Sequence, residues 1–452
     1  MPDPFDLGVA GAAQEIRDKV LSPVSLAESL LERIDSLDPA LKAWVTIDRE
    51  EVIRTARGLE VELNEKGPRG PLHGVPVGLK DIFYTEGMLT AAGSRIYSDF
   101  VPNYDATTVS KIKEAGGIIL GKTVTTEFAL ADPPPTINPW NKAHTPGGSS
   151  TGSSVAVATR MCAAALGSQT AGSTCRPAGY NGIVGFKATY GRISRNGVVP
   201  LSWSMDTVGI LVRSVVDAAV MLQATAGYDD KDPGSANVVV PNYLEEMDKL
   251  SDPPRIGLIR EFYSDRSSAE VWKHTEDIAQ RLAQGGAEIV EIGLPESFAT
   301  AHDCQTIVSI VECAAFHEQW YRCRADDYGA SIRAYIEMGM LIPGIRYVQA
   351  QRLRRQFRRD MVEMVKQVDA VMTPTAPSPA PPGRDSTGDP VFQQPWSSSG
   401  LPSIAVPSGL SSAGLPLSVQ FGGLPFKESA LLAAARWCES ALGIDLSPPE
   451  FS

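Results

Sequence analysis

A chain of 452 residues with 43% hydrophobic and 21% charged side chains has the make-up of a folded protein with a large core. Its 53 acidic against 41 basic residues give a net charge of −12, which argues against nucleic acid or an anionic membrane as the main partner. Six cysteines, at 162, 175, 304, 313, 323 and 438, form no C-x-x-C pair, so neither a zinc site nor a disulfide frame is indicated.

The opening MPDPFDLGVAGAAQ has no basic stretch followed by an apolar core, so no signal peptide is expected. The longest small-apolar run, 155–166, is broken by Arg160 and is too short to span a bilayer. A cytoplasmic protein is the expectation. Ser22 then caps a helix with Pro23 in its first turn, and Ser25 to Glu28 offers a second capping option. Leu26, Leu30, Ile34 and Leu37 recur at helical spacing, and Asp38-Pro39 is expected to end the run. A second amphipathic helix covers Arg49 to Asn64.

In PLHGVPVGLKDIF, from Pro71 to Phe83, the residues Val75, Val77 and Leu79 alternate as in a strand. A lysine after a strand is usually a solvated charge. Leu79 before Lys80 and Ile82-Phe83 after it argue for burial instead. Asp105 is read as the cap of a helix ending at Ala115, followed by a short strand at Ile118–Leu120. The segment GGIILGKT, from Gly116 to Thr123, satisfies the phosphate-loop pattern, but three strong apolar residues fill its middle and it follows a helix. A nucleotide site there is rejected.

From His144 to Gly191 two small-residue loops flank an apolar run. Each carries a serine among residues with little or no side chain: Ser149 in PGGSSTGS and Ser173 in QTAGSTCRPAG. Crowded backbone N–H groups in such loops can stabilise negative charge, and a hydroxyl beside them suits attack on a carbonyl. A helix is expected from Ser153 to Met161, a buried strand from Ala163 to Gly167 and another from Ile183 to Phe186. Further on, Arg255 to Ile292 reads as strand, helix and strand, the pattern of a parallel sheet. Helices follow at Ala301–Phe316 and Arg346–Gln367. The arginines of the second (346, 352, 354, 355, 358 and 359) are read as a solvated face. A strand at Asp369–Thr373 enters a proline-rich loop, and residues to about Pro395 are expected to line or cover a cleft. Residues 400–407 and 414–420 pair as strands, and a last helix runs from Glu428 to about Leu442. With no repeat and no long linker, this is one α/β domain, 1–452, with a large mixed sheet. Helices occupy 1–65, the loop-bearing core 66–215, and the rest of the sheet and cleft cover 216–452.

Three motifs resemble those of the amidase signature family of serine hydrolases. They are GGSSTGS at Gly147–Ser153, QTAGS at Gln169–Ser173, and the stretch from Gly182 to Ser194. The likeness extends from SPVSLAESLLERI near the start to GLPLSVQFGG near the end. It implies an α/β fold with a central mixed sheet flanked by helices on both faces. It also implies an acyl-enzyme mechanism with Lys80 as base, Ser149 as proton relay and Ser173 as nucleophile, and an oxyanion hole of backbone N–H groups at Thr170, Ala171 and Gly172. No cofactor or metal is implied. None of the five histidines sits in a triad-like motif.

Three positions depart from the commonest family pattern. Gln169 stands where an aspartate is usual, Ala171 replaces a glycine, and the arginine after the nucleophile is displaced to Arg176. In this the loop is similar to those of malonamidases, carboxybiuret hydrolases and allophanate hydrolases, whose substrates carry a carboxylate. Arg176 is therefore expected to bind a substrate carboxylate, with a structural ion pair as the competing reading. The expected function is hydrolysis of a small carboxylate-bearing amide or carboxylated urea. An amidase for neutral aryl or alkyl amides is the alternative. The amidase subunit of a tRNA-dependent amidotransferase ranks third. The expected partner is the small amide, and a homodimer or a small accessory subunit is left open.

Overall fold

The computed structural model describes residues 3–130, 132–249 and 252–449. Met1 and Pro2, which begin the segment lacking a leader pattern, lie outside them. Eleven strands among the described residues form one sheet. They are β1 (Trp44–Thr46), β2 (Pro76–Lys80), β3 (Ile118–Thr123), β4 (Ala164–Gln169), β5 (Val184–Lys187) and β6 (Thr207–Val212). After these come β7 (Arg255–Leu258), β8 (Glu288–Glu291), β9 (Ala370–Pro374), β10 (Ser403–Leu410) and β11 (Pro416–Gly422). Their spatial order is β1-β3-β2-β4-β6-β5-β10-β11-β9-β7-β8. β2 runs parallel to β3 and β4, and β7 to β8 and β9; the other neighbours are antiparallel, so the sheet is mixed as expected.

Strand alternation buries both faces. In β4, Ala164 and Leu166 join one apolar cluster while Ala165 joins another. In β6, Val208, Ile210 and Val212 belong to the first and Leu211 to the second. Successive side chains point to opposite sides of a strand, so each cluster occupies one face under its own helices. On one side the helices Pro23–Leu41 and Thr151–Ala158 supply Leu31, Ile34, Val155 and Val157. On the other, Val215–Thr225 and Glu428–Leu442 supply Ala219, Leu222, Leu431 and Leu432.

Several local expectations change. The first long helix runs through Pro39 to Leu41. Ser22 caps it, accepting from the Val24 and Ser25 amides at 3.0 and 3.4 Å. It closes on Lys42 in the left-handed region, and the Asp38 carboxylate accepts the next amides, Ala43 and Trp44, at 2.7 and 3.2 Å. Asp38 thus turns the chain after the helix, and the proline sits in the last turn. Ala106, not Asp105, is the cap of the helix Thr107–Glu114; Asp105 accepts the Glu86 amide and pairs with Lys113. The helix expected at 301–316 continues to Arg324. On the helix Gly344–Val365, Arg354 is not part of a solvated face. It lies one turn from buried Phe357 and two from buried Met361, and donates to the Ser398 and Ser204 carbonyls at 2.8 and 2.6 Å. Arg358 is also half-buried, whereas Arg346, Arg352, Arg355 and Arg359 are exposed. No described helix is long and apolar enough to cross a membrane.

The segment GGIILGKT is extended where a phosphate loop would have to curl, because Ile118 to Thr123 is β3. Lys122 is buried, with Nζ donating to the Phe83 carbonyl and to Thr90 Oγ1.

Candidate active site

β2 ends on Lys80, and parallel pairing with β4 brings the ends of the two strands together. Val77 and Leu79 anchor the strand in the core, so the lysine side chain enters a fully enclosed space. There Nζ donates to Ser149 Oγ at 2.7 Å and to Ser168 Oγ at 2.8 Å. Burial lowers the pKa of Lys80 to about 7, with the negative charge of Asp206 acting in the opposite direction. A solvated surface lysine is thereby excluded.

Ser149 sits just before the helix Thr151–Ala158, and the Gly148–Ser149 peptide is cis. Close packing explains the glycines here better than backbone freedom does. A Cβ on Gly152 would run into the Ala43 carbonyl and the Val124 amide, and one on Gly148 would meet Thr387 at 2.7 Å. Of the loop glycines 147, 148, 152 and 172, Gly147 alone has a positive φ, 78°.

The two serine loops are tied together. The Ser150 amide donates to the Ser173 carbonyl at 3.4 Å, and Ser150 Oγ accepts from the Ser168 amide at 3.1 Å. Ser173 lines a cavity of about 400 Å³ shared with Thr170, Ala171, Arg176, Gln305 and Thr387. The expected cover is present, since Asp385, Ser386, Thr387, Gly388 and Pro390 all line it. Lys80 and Ser149 are thus brought together. Among the described residues no hydrogen bond joins the hydroxyls of Ser149 and Ser173.

In the loop after β4, the N–H groups of Thr170, Ala171, Gly172 and Ser173 have no acceptor among the described residues. The next two amides, of Thr174 and Cys175, both donate to Gln169 Oε1 at 3.0 Å. Four adjacent free donors beside a serine and a cavity can stabilise an oxyanion. The loop carbonyls point elsewhere. Gln305 Nε2 donates to the Thr170 carbonyl at 2.9 Å, and Ser397 Oγ to the Ala171 carbonyl at 2.7 Å. The Thr170 hydroxyl donates to Asp206 at 2.5 Å. Ala171 is not in the left-handed region, in line with a side chain being tolerated there. Gly172 is required for space, because a Cβ would lie 2.6 Å from Gln393 Oε1.

Arg176 is 4% exposed, and its Nη2 donates to the Gly148 carbonyl at 2.7 Å and to Thr387 Oγ1 at 3.1 Å. Its Nε and Nη1 have no partner, and no carboxylate stands within ion-pair distance among the described residues. Burial lowers its pKa from the ordinary arginine value. The competing structural ion pair is therefore not formed. Each of the five histidines hydrogen-bonds away from these serines, to Leu59, Ala380, Ser408, Val391 or Tyr328.

Four contributors are absent from the sequence reading: Ser168, Asp206, Gln305 and Ser397. Ser168 was accessible from the strand that carries it, lying five residues before Ser173. The other three come from distant segments with no motif to mark them.

The model of the family described as Amidase matches residues 25–432. A glutamyl-tRNA(Gln) amidotransferase subunit from Geobacter metallireducens is 36% identical over 97% of this chain and 97% of its own length. Its counterpart from Myxococcus xanthus is 35% identical over 95% of this chain and 96% of its own length. Among solved structures, a protein of a vestigial complex tied to the origins of an s-triazine catabolic enzyme superposes with a TM-score of 0.90 at 27% identity, covering 97% of this chain and 99% of that one. The peptide amidase of Stenotrophomonas maltophilia superposes with a TM-score of 0.85 at 29% identity, covering 99% of both chains. These relatives show the family and do not single out the malonamidase and carboxybiuret hydrolase subgroup. The chain belongs to the amidase family and is a hydrolase of amide C–N bonds.

Proposed function

We propose that this enzyme cleaves a small carboxylate-bearing amide or carboxylated urea, with Lys80, Ser149 and Ser173 as its catalytic residues. The observation that carries the chemistry is the enclosed 2.7 Å contact between Lys80 Nζ and Ser149 Oγ. A serine hydroxyl needs a base, and a lysine kept neutral by burial is one. Lys80 takes the proton of Ser149, and Ser149 takes that of Ser173 as substrate closes the gap between the hydroxyls. Such contacts often tighten only when substrate is bound. Ser173 Oγ bonds to the amide carbon, and the carbonyl π pair moves onto oxygen, facing the Ala171 and Gly172 amides. Ser149 then protonates the nitrogen and recovers a proton from Lys80, the C–N bond breaks, and the amine leaves. Water cleaves the Ser173 ester by the same route in reverse.

The substrate class is read from Arg176, a buried cation lining the cavity with two unpartnered nitrogens and no carboxylate in ion-pair contact among the described residues, the charge of Asp389 acting on it only from farther away. A substrate carboxylate would complete it. The test is a hydrolysis screen that reads ammonia from malonamate, biuret-type compounds and simple aliphatic amides, and aniline from anilides. Acidic amides are expected to give the highest kcat/KM; equal or better turnover of neutral amides contradicts the assignment.

A second reading, the amidase subunit of a tRNA-dependent amidotransferase, is favoured by the 36% identity to such subunits over nearly the whole chain. Gln169, in the place of the usual aspartate, and the net charge of −12 weigh against it. Co-purification with a tRNA-binding protein, and ammonia delivery to it, would establish it. An accessory chain is compatible with either reading, since one structural relative comes from a protein complex.

A further inference from the structure

We propose that Gln305 and Ser397, the latter oriented by Gln169, are positioning residues that grip the Thr170 and Ala171 carbonyls and so aim the Ala171 and Gly172 amides at the developing oxyanion. The inference rests on the reading of Ser173 as nucleophile. It starts from peptide geometry. Across a trans peptide the C=O and the next N–H point in opposite directions. The Thr170–Ala171 and Ala171–Gly172 peptides are trans. Holding the Thr170 carbonyl therefore fixes the direction of the Ala171 N–H, and holding the Ala171 carbonyl fixes that of Gly172. Gln305 Nε2 does the first at 2.9 Å and Ser397 Oγ the second at 2.7 Å.

The Ser397 link is directed by Gln169. A hydroxyl has one proton to give. Gln169 Nε2 donates to Ser397 Oγ at 3.0 Å, which leaves the Ser397 proton for the Ala171 carbonyl. Gln169 itself cannot turn over, because the Thr174 and Cys175 amides both hold its Oε1. A carboxylate at this position could accept those amides but could not donate to Ser397. The Ser397 proton would then go to the carboxylate, and the Ala171 carbonyl would be released. Gln169 and Ser397 are thus a matched pair, and the departure from aspartate has a mechanical consequence beyond the loss of a charge. Gln169, Gln305 and Ser397 are all at most 2% exposed, so water does not substitute readily for any link.

The test is steady-state kinetics of Gln169→Glu, Ser397→Ala, Gln305→Met and the double variant Gln169→Glu/Ser397→Ala, with inhibition by phenylboronic acid, whose tetrahedral adduct places an oxygen at the oxyanion position. Misaiming a donor should cost less than the roughly 100- to 1,000-fold of deleting one. Each single variant is expected to lose about tenfold in kcat with KM within about twofold, and boronate affinity should fall in parallel. The double variant should be no worse than the poorer single, because both changes break one link. If Gln169→Glu does not fold, Ser397→Ala removes one oxygen and tests the same link. Unchanged kcat in Ser397→Ala and Gln305→Met, a rise in KM alone, or multiplicative losses in the double variant would overturn the proposal. Turnover by Ser173→Ala would instead overturn the nucleophile assignment on which it rests.

Discussion

Lys80 Nζ donates to Ser149 Oγ across 2.7 Å although 69 residues separate them in the chain, and neither residue is exposed. No other described polar side chain reaches the ammonium within hydrogen-bond distance except Ser168. An amine so enclosed, with hydroxyls and no carboxylate in contact, loses its proton near neutrality.

The first consequence is a pH profile. Lys80 must be uncharged to accept a proton, and burial places its pKa at about 7. kcat/KM should therefore fall as pH falls through about 7 and level off above it. Lys80→Ala should lose about 100- to 10,000-fold across the range. A rate that rises on acidification would contradict the role.

Ser168→Ala should move that limb. The hydroxyl accepts more strongly from an ammonium than from a neutral amine, so it favours the charged form. Without it the pKa of Lys80 drops further, and the limb shifts to lower pH by about one unit. A shift to higher pH would show that Ser168 acts otherwise.

Arg176→Leu separates substrate classes. The change also frees the Gly148 carbonyl, so some activity is lost on every substrate. The ratio of kcat/KM for an acidic amide to that for a neutral one removes this common loss. The ratio should fall by about 10- to 100-fold, the worth of charge-assisted bonds to a carboxylate. An unchanged ratio would assign Arg176 to the loop alone.

Gly172→Ala tests packing beside the amides. The new methyl would lie 2.6 Å from Gln393 Oε1 and 3.1 Å from Pro390 Cβ. Overpacking of this kind costs about 1–3 kcal/mol. Thermal unfolding should shift down and kcat should drop, whereas the Gly58→Ala control meets no neighbouring atom and should do neither.

Much of this site was legible in the sequence because the chemistry is written in short motifs. Ser149 and Ser173 stand in two of them, Lys80 directly follows the alternating strand residues Val75, Val77 and Leu79, and the small residues around the serines mark backbone that approaches closely. The supporting contacts were not legible. Gln305 and Ser397 reach the loop from helices 135 and 226 positions away from the carbonyls they hold. A single glutamine or serine in a helix carries no mark of such a role. β6 shows the same limit for the fold. It lies between β4 and β5, yet TVGILV is a short apolar run, buried on both faces, that no alternation distinguishes from a helix segment. Arg354 misled for a related reason. Its charge sits in a basic run, but the turn on which it falls is set by Phe357 and Met361, which face inward.

The most direct test is mass spectrometry of the enzyme after reaction with a fluorophosphonate, followed by mapping of the modified peptide. One adduct is expected, on Ser173, absent in Ser173→Ala and formed far more slowly in Lys80→Ala. An adduct on another residue, or labelling of Ser173 that is indifferent to Lys80, would contradict a lysine-driven serine nucleophile.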